Sequence, residues 1–176
     1  MSDRTLSDTT FTHIVNVPLE KIDIAGWLFS LPDAEFQRCC VPDHIAAGQT
    51  VTDDGRRMSI NVENIGESLV VQHYVAEIAE KHFCRMLSIS DVFTPNGRTK
   101  TRVLWVLRAV SAGDGRTEYT NYVRGSTTDE FMTFIQQHGI SYDQAKAARQ
   151  AASSDHCRRE TPFYAESIAR WALAHG

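Results

Sequence analysis

From residue 56 to residue 127, apolar and polar side chains alternate with a period of two, and turn-forming triplets interrupt the alternation. The readable turns are Asn64-Ile65-Gly66, Pro95-Asn96-Gly97 and Gly113-Asp114-Gly115, preceded by Asp53-Asp54-Gly55. Strands are expected over 58–63, 69–78, 82–93, 99–110 and 116–125, with earlier ones over 11–17 and 44–52. That makes seven. No helical pattern separates the later strands, so the sheet is expected to be an antiparallel meander.

Helices flank this block. Ile24, Trp27, Leu28 and Leu31 form a stripe at helical spacing over 20–31. Pro32 opens a second short helix that Pro42 closes. After the last strand, Thr127-Thr128-Asp129-Glu130 has capping-box spacing before a helix around 130–138, and Gly139 stops it. Ser141 to Gln144 repeats the capping signal. Ser153-Ser154-Asp155 is expected to weaken or kink the following helix, and Thr161-Pro162 to start a final one. Phe163, Tyr164, Ser167, Ile168, Trp171 and Ala172 then share a face, with Trp171 sealing the helix to the sheet. Residues 1–8 read as a disordered leader, and 9–176 as a single domain.

The strand parity predicts an inner face. With charged side chains outward, Val70, Gln72, Tyr74, Ala76 and Ile78 point inward on one strand, and His82, Cys84, Met86, Ser88 and Ser90 on the next. Thr101, Val103, Trp105 and Leu107 follow, then Tyr119, Asn121 and Val123. Met58, Ile60 and Val62 complete the face. An unpaired polar group in a dry core costs about 1–3 kcal/mol, so a face this mixed implies a polar-lined pocket. Gln72, Tyr74, Met86, Ser88, Trp105, Tyr119 and Asn121 are the candidate ligand contacts, joined by Phe163 from the helix.

Composition narrows the function. A net charge of −4 lacks the concentrated cationic surface that nucleic-acid binding needs. No apolar stretch approaches the roughly 20 residues that span a bilayer, and the polar N-terminal segment points to a cytoplasmic protein. Cys39, Cys40, Cys84 and Cys157 have no C-x-x-C spacing and read as free thiols. His73 and His82 fall on opposite faces of neighbouring strands, so no metal site and no cofactor are expected. His82 is the one candidate general base. No Gly-rich phosphate loop, G-x-S-x-G elbow or H-E-x-x-H pattern is present.

The order of elements resembles the START-like (SRPBCC) helix-grip superfamily. FTHIVNV matches its first strand, EKIDIAGWLFSL and PDAEFQRCC its two short helices, residues 44–125 its meander and RETPFYAESIARWAL its gripped helix. The helix near 130–138 departs from that layout. The resemblance implies an α+β helix-grip fold, a curved sheet of about seven strands around a long C-terminal helix. It also implies an internal cavity for a hydrophobic small molecule such as a lipid, polyketide or aromatic compound. One alternative is an aromatase/cyclase-like or hydrolytic enzyme using His82 with Tyr74, Tyr119 or Asn121. A second is a structural or interaction module with a filled core. The residues leave the oligomeric state open.

Overall fold

The computed structural model describes residues 4–176 and joins the alternating segments into one sheet. Its strands are β1 (Thr5–Val15), β2 (His44–Val51), β3 (Arg57–Ile65), β4 (Ser68–Glu80), β5 (Phe83–Thr94), β6 (Gly97–Gly113) and β7 (Arg116–Thr127). The spatial order is β1-β7-β6-β5-β4-β3-β2 and every neighbouring pair is antiparallel. The meander therefore runs unbroken from β2 to β7, and β1 returns to cover the β7 edge. Tight turns make this possible: Gly66 and Gly97 both take positive φ, at 63° and 122°.

The helices follow from capping and burial. A single 3₁₀ turn (Leu19–Lys21), α1 (Ile24–Leu28) and α2 (Asp33–Cys39) connect β1 to β2. The stripe over 20–31 is thus not one helix, because Asp23 caps α1 by accepting from Gly26 N at 2.8 Å. α3 (Asp129–Gln137) starts at Thr128, whose hydroxyl accepts from Phe131 N at 3.0 Å. α4 (Tyr142–His175) starts at the capping box of Ser141 and Gln144.

α4 is continuous over 34 residues, where the serines and Thr161-Pro162 predict a kink and a new start. An interior proline costs a helix about 3 kcal/mol. Here Tyr164, Ala165, Ile168, Ala169 and Ala172 bury one side of the last turns in the main core, and that packing outweighs the lost hydrogen bond. Trp171 does not seal the helix to the sheet. It lies against α1, donating to Ser30 Oγ at 3.0 Å, and a Cβ on Gly26 would sit only 2.5 Å from its ring.

Three further expectations are corrected. The strand pattern begins inside the segment expected as a leader, because Leu6, Ser7 and Thr9 are buried and β1 pairs with β7 from Thr5; the expected leader's first three residues lie outside the described residues. β3 has the opposite parity: Ser59, Asn61, Glu63 and Ile65 are buried, while Met58, Ile60 and Val62 are only half-buried. Polar residues face inward there because they have inward partners, Ser59 donating to Asn61 Oδ1 at 3.2 Å and Glu63 meeting two histidines. Ile78 turns outward because the β4–β5 register shifts between Ala76 and Ile78. The inward sets expected on β5 and β6 are buried from Cys84 to Ser90 and from Thr101 to Leu107.

Candidate functional site

The concave side holds two adjoining spaces that share two lining residues. The inner one lies between the sheet and α4 and has a free volume of about 20 Å³. That is room for about one water. The outer one, about 620 Å³, opens between the β3–β4 turn, the β5–β6 turn, α3 and the first half of α4. Leu6, Ile65, Phe131, Phe134, Ile135 and Ile140 give it apolar walls. Ile65 and Arg149 line both spaces, so Arg149 stands where they adjoin. Among the described residues its guanidinium makes no hydrogen bond or ion pair. Burial holds its pKa below the ordinary guanidinium value, with Glu63 the main opposing charge.

The floor of the inner space is polar and charged. His44 opens β2, Glu63 is its cross-strand partner on β3, and His156 and Glu160 stand one turn apart on α4. His44 Nε2 lies 3.2 Å from Glu63 Oε2 and 3.2 Å from Glu160 Oε2. His156 Nε2 lies 3.3 Å and 3.4 Å from the same two oxygens. Both imidazoles are fixed from behind: His44 Nδ1 donates to Phe36 O at 2.7 Å, and His156 Nδ1 to Asp43 Oδ2 at 3.0 Å. Asp43 is in turn held by Arg159. Glu160 Oε1 accepts from Asn121 Nδ2 at 2.9 Å, and Asn121 Oδ1 accepts from Trp105 Nε1 at 2.8 Å.

These contacts set the charges. Burial alone would lower His44, but hydrogen bonds to Glu160 and Glu63 hold it up at about 10. His156 is likewise raised, against burial, by the same two carboxylates. Burial would raise Glu63 and Glu160, yet the two histidines pull both well below the usual carboxylate range.

The sequence-predicted residues divide into three groups. Gln72, Tyr74 and Trp105 do line the inner space. Trp105 also packs on Tyr74, ring centroids 4.9 Å apart, so it is core as much as wall. Asn121, Met86, Ser88 and Tyr119 are buried but do not reach the cavity. Asn121 braces Glu160, Met86 fills the main core, and Ser88 Oγ accepts from His73 N at 2.8 Å. Phe163 is 56% exposed on the outer side of α4. The helical face expected for Phe163 and Tyr164 holds only for Tyr164, because adjacent helical positions lie about 100° apart and Tyr164 takes the inward one. His82 sits in the β4–β5 turn, at the end of the sheet remote from the outer space, with Nε2 buried and unpartnered among the described residues. It is no cavity base.

Sequence reasoning missed His44, Glu63, His156, Glu160 and Arg149. One signal was available: His156 and Glu160 are spaced i, i+4, which places both on one helix face. Nothing local marks His44 or Glu63, since their meeting with α4 spans most of the chain. Two His and two Glu with donor atoms all within 4.8 Å are the set here that could hold a metal ion; Cys40 offers a third partner to the two histidines.

No family model and no curated protein matches the sequence. Solved structures do resemble the fold. The ZhuI aromatase/cyclase of a Streptomyces species superposes with a TM-score of 0.61 at 10% identity, covering 94% of this chain and 93% of that one. The di-domain aromatase/cyclase BexL gives 0.54 at 13% identity over 93% of this chain and 50% of its own. A conserved protein of Geobacillus kaustophilus gives 0.51 at 9% identity over 96% and 97%. The chain shares the helix-grip α+β fold of these structures, a curved antiparallel sheet around a long C-terminal helix. Identities this low establish the fold alone.

Proposed function

We propose that the protein binds an elongated hydrophobic small molecule with an acidic end, its apolar body in the outer space and its acid at Arg149. The observation that carries this is a guanidinium that makes no hydrogen bond or ion pair among the described residues, set beside an apolar space of about 620 Å³ with only the longer-range field of Glu63 opposing its charge. Ligand sites combine apolar walls with a few polar groups that orient the occupant. A carboxylate would supply the bidentate partner that Arg149 lacks. Fatty acids and aromatic or polyketide acids belong to this class, and the aromatase/cyclase neighbours fit the latter.

This places the occupant differently from the fully internal cavity that the resemblance implies, because aromatic side chains and the charged cluster fill the inner space. A filled structural core is less well supported: Gln72 Oε1 and Tyr119 Oη are buried without partners among the described residues. The cyclase or hydrolase reading loses its base with His82 in a distant turn.

The test compares a long-chain fatty acid with the alcohol of equal length by titration calorimetry, for wild type and Arg149→Met. Wild type is expected to prefer the acid at least tenfold. Arg149→Met should erase the preference and keep the alcohol's affinity. Equal affinities in wild type, or no binding of either compound, would reject the proposal.

A further inference from the structure

Below the inner space, four potential donor atoms from three separate elements converge. The four N···O separations among His44 Nε2, His156 Nε2, Glu63 Oε2 and Glu160 Oε2 run 3.2, 3.2, 3.3 and 3.4 Å. A tetrahedral ion with bonds of about 2.0–2.1 Å holds its donors about 3.3–3.4 Å apart. The four N···O edges meet this spacing as they stand, and the N···N and O···O pairs lie within 4.8 Å.

The outer contacts match as well. Each imidazole gives its Nδ1–H to a fixed acceptor, Phe36 O or the Asp43 carboxylate, which leaves Nε2 as the donor to the centre. Asn121 occupies the second oxygen of Glu160, leaving Oε2 for the centre. Independently, His156 is 2% exposed, yet its Nε2 has no hydrogen-bond partner among the described residues. That atom faces two carboxylate oxygens at angles unsuited to hydrogen bonding. Without a metal its compensation is the pair of carboxylate charges at 3.3 and 3.4 Å; a bound Lewis acid would give the same nitrogen a direct bond.

The geometry points to a divalent transition-metal site of the zinc class, with Nε2 of His44 and His156 and Oε2 of Glu63 and Glu160 as ligands. Two carboxylates balance the ion's charge, and two neutral imidazoles complete a borderline donor set that suits Zn²⁺ or Co²⁺ better than Ca²⁺ or Mg²⁺. Four protein ligands make the site closed, and it ties β2, β3 and α4 together. Glu63, His156 and Glu160 also line the inner space, so the ion would form its floor. This site stands apart from whatever molecule the outer space takes. The competing arrangement is a metal-free ion-pair cluster with both histidines protonated.

The experiment strips the full chain with a chelator, dialyses it, and titrates Co²⁺ and then Zn²⁺. One ion per chain is expected, with the visible absorption of tetrahedral Co²⁺ and no thiolate charge-transfer band, bleached by added Zn²⁺. Glu160→Gln should weaken Zn²⁺ binding at least 100-fold. Asp43→Asn, the gentler change, acts through His156 and should weaken it about 10–100-fold. Failure of the stripped wild type to bind either ion overturns the site and leaves the ion-pair cluster. A thiolate band would move the site to Cys40, and unchanged affinity in Asp43→Asn would place it elsewhere; either result overturns this assignment. The wild-type spectrum decides the matter even if Glu160→Gln does not fold.

Discussion

Trp105 shows how one side chain serves two roles. Its ring packs on Tyr74 and Tyr164, and its indole N–H ends a chain of hydrogen bonds that runs through Asn121 to Glu160. Trp105→Ala should therefore cost about 3–5 kcal/mol, read as a lowered urea midpoint. Trp105→Phe keeps much of the packing but leaves Asn121 Oδ1 unpaired, so about 1–3 kcal/mol is expected. Phe163 gives the opposite case. It is mostly exposed, and Phe163→Ser should change stability by no more than about 0.5 kcal/mol and leave ligand affinity unaltered. A large loss in that variant would mean that α4 is rotated from the position described.

At the scale of elements, α2 and α4 are tied by Glu35, which pairs with Arg170 at 2.6 Å and with Arg38 on its own helix. Burial would raise its pKa, but hydrogen bonds from Arg38, Ser167 and Arg170 win and lower it to about 2. A depressed carboxylate stabilises the fold above its unfolded pKa, and the gain is lost as pH falls through the folded value. Glu35→Gln should thus be less stable than wild type at neutral pH by about 1 kcal/mol, the arginines being solvent-screened. The two urea midpoints should converge as pH drops from about 4.5 toward 2. A constant gap across that range would show the tie to be packing alone. The β3–β4 turn meets α4 just as closely: Gly66 has φ +63°, and an added Cβ would lie 3.0 Å from Ala152 Cβ. Gly66→Ala should cost about 1–2 kcal/mol from the left-handed backbone, and Ala152→Gly in the same chain should relieve only the contact.

For the whole molecule, a ligand that binds only the folded state stabilises it by mass action, about 2.7 kcal/mol at a hundredfold excess over Kd. In a chain of this size that raises Tm by about 5–10 °C. A matching rise is expected with a long-chain acid in wild type and a smaller one in Arg149→Met. Phe134→Ala, altered in the wall of the outer space, should reduce the rise while leaving the free protein's Tm close to wild type. No helix among the described residues is long and apolar enough to cross a membrane.

Alternation and turn chemistry are local properties, and they determined the seven strands, their antiparallel order and the helical C-terminal tract before any contact was known. Charge placement made the inward faces of β5 and β6 legible, since Arg85, Asp91, Lys100, Arg102 and Arg108 share the outward parity and leave the other parity, serines included, inside. It fails on β3, where Ser59, Asn61 and Glu63 look like a solvent face and are buried. A carboxylate is driven inward only by partners, and those of Glu63 lie 19 residues back on β2 and on α4. Continuity of α4 through Pro162 was also decided by packing, because propensity at one residue is outweighed by the face its neighbours bury. The cluster at the cavity floor and the burial of Arg149 beside it exist only once the sheet has curled around the helix. Side chains distant in sequence set each other's ionisation, and that coupling requires the folded chain.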